Sequence, residues 1–466
     1  MASNCNYVTK KSKAFSERKI NSVLLKLAIP SMISLLVAEL YNMVDTIFVG
    51  RAIGSTAIGA LTIAFPVQRL IIAIGMLLAV GASTALARSL GEGNYGRIKY
   101  IVMSALTLMI LGISSLTGFI YIFKSPIIYH LGATDNIFPY AHEYISIVVF
   151  GGLFQCFTVI IGYMLIALGN AKTNLYATTI GAVSNIILDY ILVVILSYGI
   201  KGAAIATVMS QIISAFYAFY YFLRIKNKFN MSFGFNLKKD ITVSILSVGF
   251  STFIIEISDA VVACILNNLL SSRGDMAIII VGVISKVSMF LFITVIGISS
   301  AMQPIAAYNY GAKNFKRLRE VVRKTIIAVT VASSILWIIM LLFANPIISS
   351  FVKDEAILNH AVKAFRIVIL VFPSISVYYV AIYYYQSIKE AKLSLILSIY
   401  RQLVIFIPAL FILVSMFGLI GAWVAYPVSD FLSALTGFYY INRAKADIKE
   451  KQRKFTLLKT LPQLSS

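Results

Sequence analysis

Apolar stretches of about twenty residues or more recur from about residue 27 to residue 441, and each can cross a hydrocarbon core of about 30 Å as a helix. Twelve can be placed, at roughly 27–50, 58–87, 100–123, 139–168, 174–197, 202–223, 242–270, 277–310, 325–345, 361–387, 394–416 and 419–441. Several exceed 25 residues, which implies tilt or protrusion beyond the bilayer. Composition enters as a check. With 59% hydrophobic and 12% charged residues, a soluble chain of 466 residues could not cover its surface. Phe and Tyr are abundant, as interfacial belts require.

The formal charge of +22 does not point to nucleic acid, because the basic residues sit between spans and form no separate basic domain. Their distribution instead sets an orientation. Segments 1–25, 88–99, 169–173, 224–241, 311–324, 388–393 and 442–466 hold 29 of the 40 Lys and Arg residues. The opposite loops hold only Arg51, Lys124, Lys201, Arg273 and Lys353. The positive-inside rule then places both termini in the cytoplasm of a cell-membrane protein. The basic, polar start of the chain has no apolar core, so no cleavable signal peptide is expected. Cys5, Cys156 and Cys264 form no CxxC pair, which leaves neither a disulfide framework nor a thiolate metal site.

The chain is internally duplicated. Gly91-Glu-Gly-Asn-Tyr-Gly-Arg-Ile-Lys99 recurs as Gly311-Ala-Lys-Asn-Phe-Lys-Arg-Leu-Arg319, a shift of 220. Ala171-Lys172 meets Ala391-Lys392 at the same shift. At 219, Gly199-Ile-Lys-Gly-Ala203 meets Gly418-Leu-Ile-Gly-Ala422, and Phe219-Tyr-Tyr221 meets Phe438-Tyr-Tyr440. Each repeat has six spans, an even number, so both enter the membrane from the same side. The expected fold is therefore an all-α membrane protein with twelve transmembrane helices in two parallel-repeat six-helix lobes around a central cleft. The expected division is a cytoplasmic tail at 1–25, an N-lobe at 26–223, a linker at 224–241, a C-lobe at 242–441 and a second tail at 442–466.

Ionisable residues inside spans are costly and mark function by default. The acidic set is Glu39, Asp45, Asp189, Glu256, Asp259 and Asp430; the basic set is Arg69, Lys286, Arg401 and Arg366. Asp45 lies about five residues below the outer end of its span, Asp189 about eight, and Thr207 about five, which brings them near one level at 1.5 Å per residue. Asn185 precedes Asp189 by four and shares its helix face. Carboxylate, amide and hydroxyl oxygens at one depth suit a proton relay or a Na⁺ site. Local capping or helix pairing is the alternative. The second repeat lacks this set. Asp45 corresponds to Cys264 or Ile265, Asp189 to Pro408 or Ala409, Asn185 to Val404 or Ile405, and Thr207 to Tyr426.

Glu256 and Asp259 lie three apart near the middle of the seventh span. Glu256 is a candidate for contact with a cationic substrate or a proton, with an ion pair to Lys286 or Arg401 as the alternative. Glu39, Gln303 and Tyr378 join this second set. Tyr378 belongs to the aromatic run Tyr378-Tyr-Val-Ala-Ile-Tyr-Tyr-Tyr385, which either lines a cleft or packs between helices. Arg69 and Lys286 sit at comparable depth and are expected to neutralise nearby carboxylates, while Arg401 is expected to snorkel inward. Pro66, Pro304, Pro373, Pro408 and Pro427 lie within spans and can kink them. His130, His142 and His360 are scattered, and no HExxH, P-loop, GxSxG or DDxxD motif is present. The chain therefore does not read as an enzyme, and any translocation would be passive or driven by an ion gradient.

Ile29-Pro-Ser31, Leu40-Tyr-Asn-Met-Val-Asp-Thr-Ile-Phe-Val-Gly50, Asn185-Ile-Ile-Leu-Asp189, Lys201-Gly-Ala-Ala-Ile-Ala-Thr207 and Gln303-Pro-Ile-Ala-Ala-Tyr-Asn-Tyr-Gly311 resemble the multidrug and toxic compound extrusion (MATE) family, especially its MepA-like branch. The likeness runs from about residue 20 to 442. It implies export of small cationic amphiphiles by antiport against H⁺ or Na⁺, with no other cofactor, by a single copy in the lipid bilayer. It further implies a cation-linked network at Asp45, Asn185, Asp189 and Thr207, and a coupling role for the glutamate matching Glu256. The family's usual Leu-Asp-Pro reads Leu188-Asp189-Tyr190 here, which removes a proline kink beside the carboxylate. A related lipid or oligosaccharide flippase would want a basic cavity, an intramembrane transferase an Asp cluster, and a scaffold protein no buried carboxylates at all.

Overall fold

A computed structural model describes residues 14–229, 234, 237–271, 275–352 and 354–460. Cys5, Arg273, Lys353, most of the N-terminal tail and part of the 224–241 linker lie outside the described residues. Every expected span is present as a helix: α1 Ile20–Ala52, α2 Ser55–Gly91, α3 Tyr95–Ile122, α4 Phe138–Ala167, α5 Ala171–Asp189, α6 Gly199–Lys228, α7 Lys239–Ser271, α8 Asp275–Gly311 and α9 Phe315–Leu342. The tenth, α10, is broken into Glu355–Val368 and Ser376–Ser387 around a 3₁₀ turn at Phe372–Ile375, with a bend of 40°. Pro373 sits at the start of that turn, where its missing N–H costs nothing. The eleventh, α11, runs Ala391–Ile399, a π-helical stretch Tyr400–Phe406, then Ile407–Phe417; α12 is Leu419–Thr460. Among the described residues, eleven helices are long and apolar enough to cross a membrane, and the bent α10, taken as one span, makes twelve. Pro66, Pro304 and Pro427 are carried inside unbroken helices.

The duplication extends to details no hydropathy plot encodes. Asn94 caps α3 by accepting from the Arg97 amide, and Asn314 caps α9 by accepting from Arg317, at the 220 shift. Short helices Lys124–His130 and Ala344–Ser349 follow α3 and α9 at the same shift. Left-handed backbone recurs too: Gly93 at φ 73° matches Lys313 at 54°, and Gly169 at 80° matches Lys389 at 67°. The second repeat thus keeps a glycine conformation after losing the glycine.

The chain forms two compact units that do not divide at the linker. One unit holds Ile29–Ile257, and the other joins the residues before Ile29 to Ser258 onward. The helices α1 and α7 therefore each contribute to both. In the first unit, Arg97 on α3 bonds Asp240 at the start of α7 at 3.1 Å, and Lys238 lies 3.5 Å from the Tyr100 ring centroid. In the second, Arg317 donates to the Phe15 carbonyl at 2.6 Å and to that of Arg18, ahead of α1. The Phe15 ring is buried edge-on against Tyr308. Arg97 and Arg317 are equivalent in the repeat, and each holds the lead-in to the other repeat's first helix.

The α2–α7 contact in the first unit is a backbone approach. A Cβ at Gly81 would overlap the Ile245 carbonyl, and one at Gly249 would overlap that of Leu77. Small residues permit such crossings, which replace the hydrophobic drive that lipid does not supply. Ala57, Ala60 and Ala64 of α2 and Ala203 and Ala204 of α6 belong to the core of the same unit, with Tyr144 and Val148 of α4.

Candidate functional site

In the first unit the helices bring Asp45 of α1, Asn185 and Asp189 of α5 and Thr207 of α6 into the interior, where Asp45 is 8% exposed and both α5 side chains are fully buried. The Asp45 and Asp189 carboxylates face each other within hydrogen-bonding reach. Two ionised carboxylates cannot share a hydrogen bond; the contact becomes favourable only with a proton or a cation between them. Among the described residues, no hydrogen-bond partner reaches Oδ1 of Asp45, either Asp189 oxygen, or Oδ1 or Nδ2 of Asn185. Buried polar groups are paired almost everywhere else in folded proteins, so this concentration of unpaired polar atoms sets the place apart. The oxygens available are carboxylate, amide and hydroxyl, the donor chemistry of H⁺ or an alkali cation. The described residues hold no cluster of three or more His, Cys, Asp and Glu.

Two further residues complete this site. The Tyr144 hydroxyl of α4 accepts from Gln68 Nε2 at 3.3 Å and lies beside Thr207, with both aspartates close enough to act on it electrostatically. Tyr144 lies about five residues into its span, the depth already assigned to Thr207, so the depth argument contained it. The backbone beside Asp189 is irregular despite the missing proline. The helix α5 passes directly into a π-helical stretch, Tyr190–Ile195, where the Leu196 amide reaches back five residues to Ile191. Where the family places its proline the helix continues in π geometry, a conformation often found at functional positions.

A second cluster lies in the same unit. Arg69 of α2 stands 3.6 Å from Glu39 of α1 and 3.4 Å from Glu256 of α7, with its guanidinium 5.0 Å from the Phe65 ring centroid. Glu256 therefore pairs with Arg69, not with Lys286 or Arg401. Lys286 is exposed and makes no ion pair among the described residues; Arg366 is likewise exposed. The three cluster side chains are 28%, 28% and 21% exposed for Arg69, Glu39 and Glu256. Ion pairs this open are worth about 0–1 kcal/mol each.

The remaining candidates fall in the second unit. Asp259 accepts from Gln402 Nε2 at 2.5 Å. Gln303 donates to Gln386 Oε1 at 2.6 Å, and its carbonyl accepts from Ser387, which ties α8 to α10. Tyr378 is fully buried with its hydroxyl on the Leu397 carbonyl, and the whole Ser376–Ser387 helix is buried with it. Arg401 does not snorkel. It reaches Asp430 Oδ1 through Nε at 3.1 Å and Nη2 at 2.9 Å, lies 5.2 Å from the Phe292 ring centroid, and its carbonyl accepts from Ser429. The pair's side chains are 7% and 3% exposed. A buried partner is worth more to Arg401 than a distant interface, because removing one half of such a pair costs about 3–5 kcal/mol.

Twelve apolar helices built as two repeats, with ionisable groups held inside the spans, define a multi-pass membrane transporter. The family description MatE matches residues 30–191 and 250–412. The chain belongs to the MatE family of multidrug and toxic compound extrusion transporters, and within it is MepA-like. It is 24% identical over 430 residues to the multidrug export protein MepA of Staphylococcus saprophyticus, covering 92% of this chain and 94% of that one. It is also 24% identical over 438 residues to the FAD transporter of Shewanella oneidensis, covering 92% and 96%. A crystal structure of MATE in the straight conformation shares the fold at a TM-score of 0.89, 24% identity and coverage of 95% and 99%.

Proposed function

We propose that this protein is a secondary active multidrug efflux transporter that exports cationic amphiphilic compounds in exchange for H⁺ or Na⁺. The observation that carries this reading is the facing pair Asp45 and Asp189, buried together with no cationic side chain bound to either among the described residues. A proton or Na⁺ between them, with Asn185 and Thr207 supplying further oxygens, cancels their repulsion and draws α1 toward α5. Without the cation the same pair pushes these helices apart. Cation binding thus biases one arrangement of the first unit over another, as exchange of ion for drug requires. The π-helical stretch after Asp189 is a soft place for that change.

The carboxylates Glu39 and Glu256 exceed Arg69 by one negative charge, which favours a cationic substrate. The Shewanella relative named for FAD carries an anion, and a pocket for that substrate would want the opposite balance. The loop charges support cytoplasmic termini and a cell-membrane location, and nothing about the proposed cycle requires more than one copy. The test is ethidium efflux from cells, or uptake into inverted vesicles, with the pH and Na⁺ gradients collapsed separately. Collapse of one should stop transport. Transport that survives collapse of both, or full activity in Asp189→Asn, would overturn the reading.

A further inference from the structure

We propose that Arg69 is a specificity-determining residue: a tethered guanidinium that an organic cation must displace from Glu39, Glu256 and Phe65. The inference rests on the efflux reading for its substrate class and on the second cluster for its geometry.

Arg69 occupies the place such a substrate would take. It is a planar, delocalised monocation set between two carboxylates and close to an aromatic face. Its contacts of 3.4 and 3.6 Å are longer than the 2.7–2.9 Å or so of a committed charge-assisted bond. The three helices that supply it are α1, α2 and α7, and every side chain of the set remains partly open to solvent. The other intramembrane arginine provides the contrast. Arg401 makes two bonds of 2.9 and 3.1 Å to one buried carboxylate and is committed to it. Open, long and shared contacts make Arg69 displaceable, where Arg401 is not.

The chemistry selects the ligand. Displacing Arg69 exposes two carboxylates beside Phe65, with Tyr41 and Tyr163 within electrostatic range of the same groups. A flat apolar frame carrying delocalised positive charge replaces both the guanidinium's charge and its ring contact. A small, strongly hydrated ammonium replaces only the charge. Arg69 therefore sets a threshold that amphiphilic cations cross and simple amines do not.

Equilibrium binding of ethidium and of methylammonium to the purified full-length protein in detergent tests this, with no ion gradient present. Arg69→Gln should bind ethidium about three- to tenfold tighter, as expected when a weak internal competitor is removed. It should also admit methylammonium, which competes poorly against the parent. Arg69→Lys should keep the parent's discrimination more closely, and Glu256→Gln combined with Arg69→Gln should lose the gain. Arg69→Met serves as a second neutral variant. Unchanged or weaker ethidium binding in both neutral variants would overturn the proposal, and so would failure of both to fold, since a displaceable side chain cannot be indispensable to the fold. Binding by the parent that ignores Arg69 sinks this inference alone. No binding by any form sinks the substrate reading with it. Asp189→Asn should lose transport while its ethidium binding still responds to Arg69→Gln.

Discussion

Arg401 Nη2 and Asp430 Oδ1 lie 2.9 Å apart in the interior of the second unit, with Arg401 Nε on the same oxygen at 3.1 Å. Arg401→Ala or Asp430→Asn leaves a charge buried without its partner. Each should cost about 3–5 kcal/mol, seen as a lower unfolding temperature in detergent and poor recovery of protein. Arg401→Met with Asp430→Leu should recover much of that loss, because apolar replacement of both halves is often nearly neutral. A double variant no better than either single one would show that the pair does more than hold the fold.

The two aspartates of the first unit should behave as one group. Asp45→Asn and Asp189→Asn are each expected to lower ethidium efflux at least about tenfold with membrane insertion intact, and the double variant should be little worse than either, as for residues that act together. Additive losses in a double-mutant cycle would mean that the carboxylates bind cations separately.

Gly81 and Gly249 should resist substitution more than span glycines that face open space. A side chain at either meets a backbone carbonyl, which cannot move aside as a flexible side chain can. Gly249→Val should cost about 1–3 kcal/mol or more through overpacking, measured by thermal unfolding. Gly112→Val in α3, where nothing lies within 4 Å of the added atom, is the control and should change little.

Lys389 holds a left-handed conformation that its repeat partner Gly169 adopts freely. Lys389→Gly should therefore stabilise by up to about 1 kcal/mol, and Gly169→Ala should destabilise by a similar amount. Opposite shifts in unfolding temperature check the pair; a loss in both would show that Lys389 makes a contact worth more than its strain.

Much of this was legible in the sequence because the relevant physics is one-dimensional. Span length fixes the twelve helices, parity and register expose the repeats, and rise per residue places Asp45, Asp189 and Thr207 at one depth. Helix rotation was not legible. Inside a bilayer both faces of a helix are apolar, so pattern cannot say that Glu256 turns toward Arg69, or that Arg401 turns toward Asp430 instead of the interface. Tyr144 was missed for the same reason, although its depth was right. Nor could loop composition show that the lead-in to each repeat's first helix is claimed by the other repeat's arginine, Arg97 or Arg317.

That exchange bears on how such a chain could have arisen. A single six-helix half contains its own arginine but not the lead-in that the arginine holds, so it cannot complete itself. Two identical halves trading these segments would satisfy both arginines, in the manner of a domain-swapped dimer. The two halves carry different chemistry on this shared frame, the Asp45–Asp189 pair in one and the Arg401–Asp430 pair in the other.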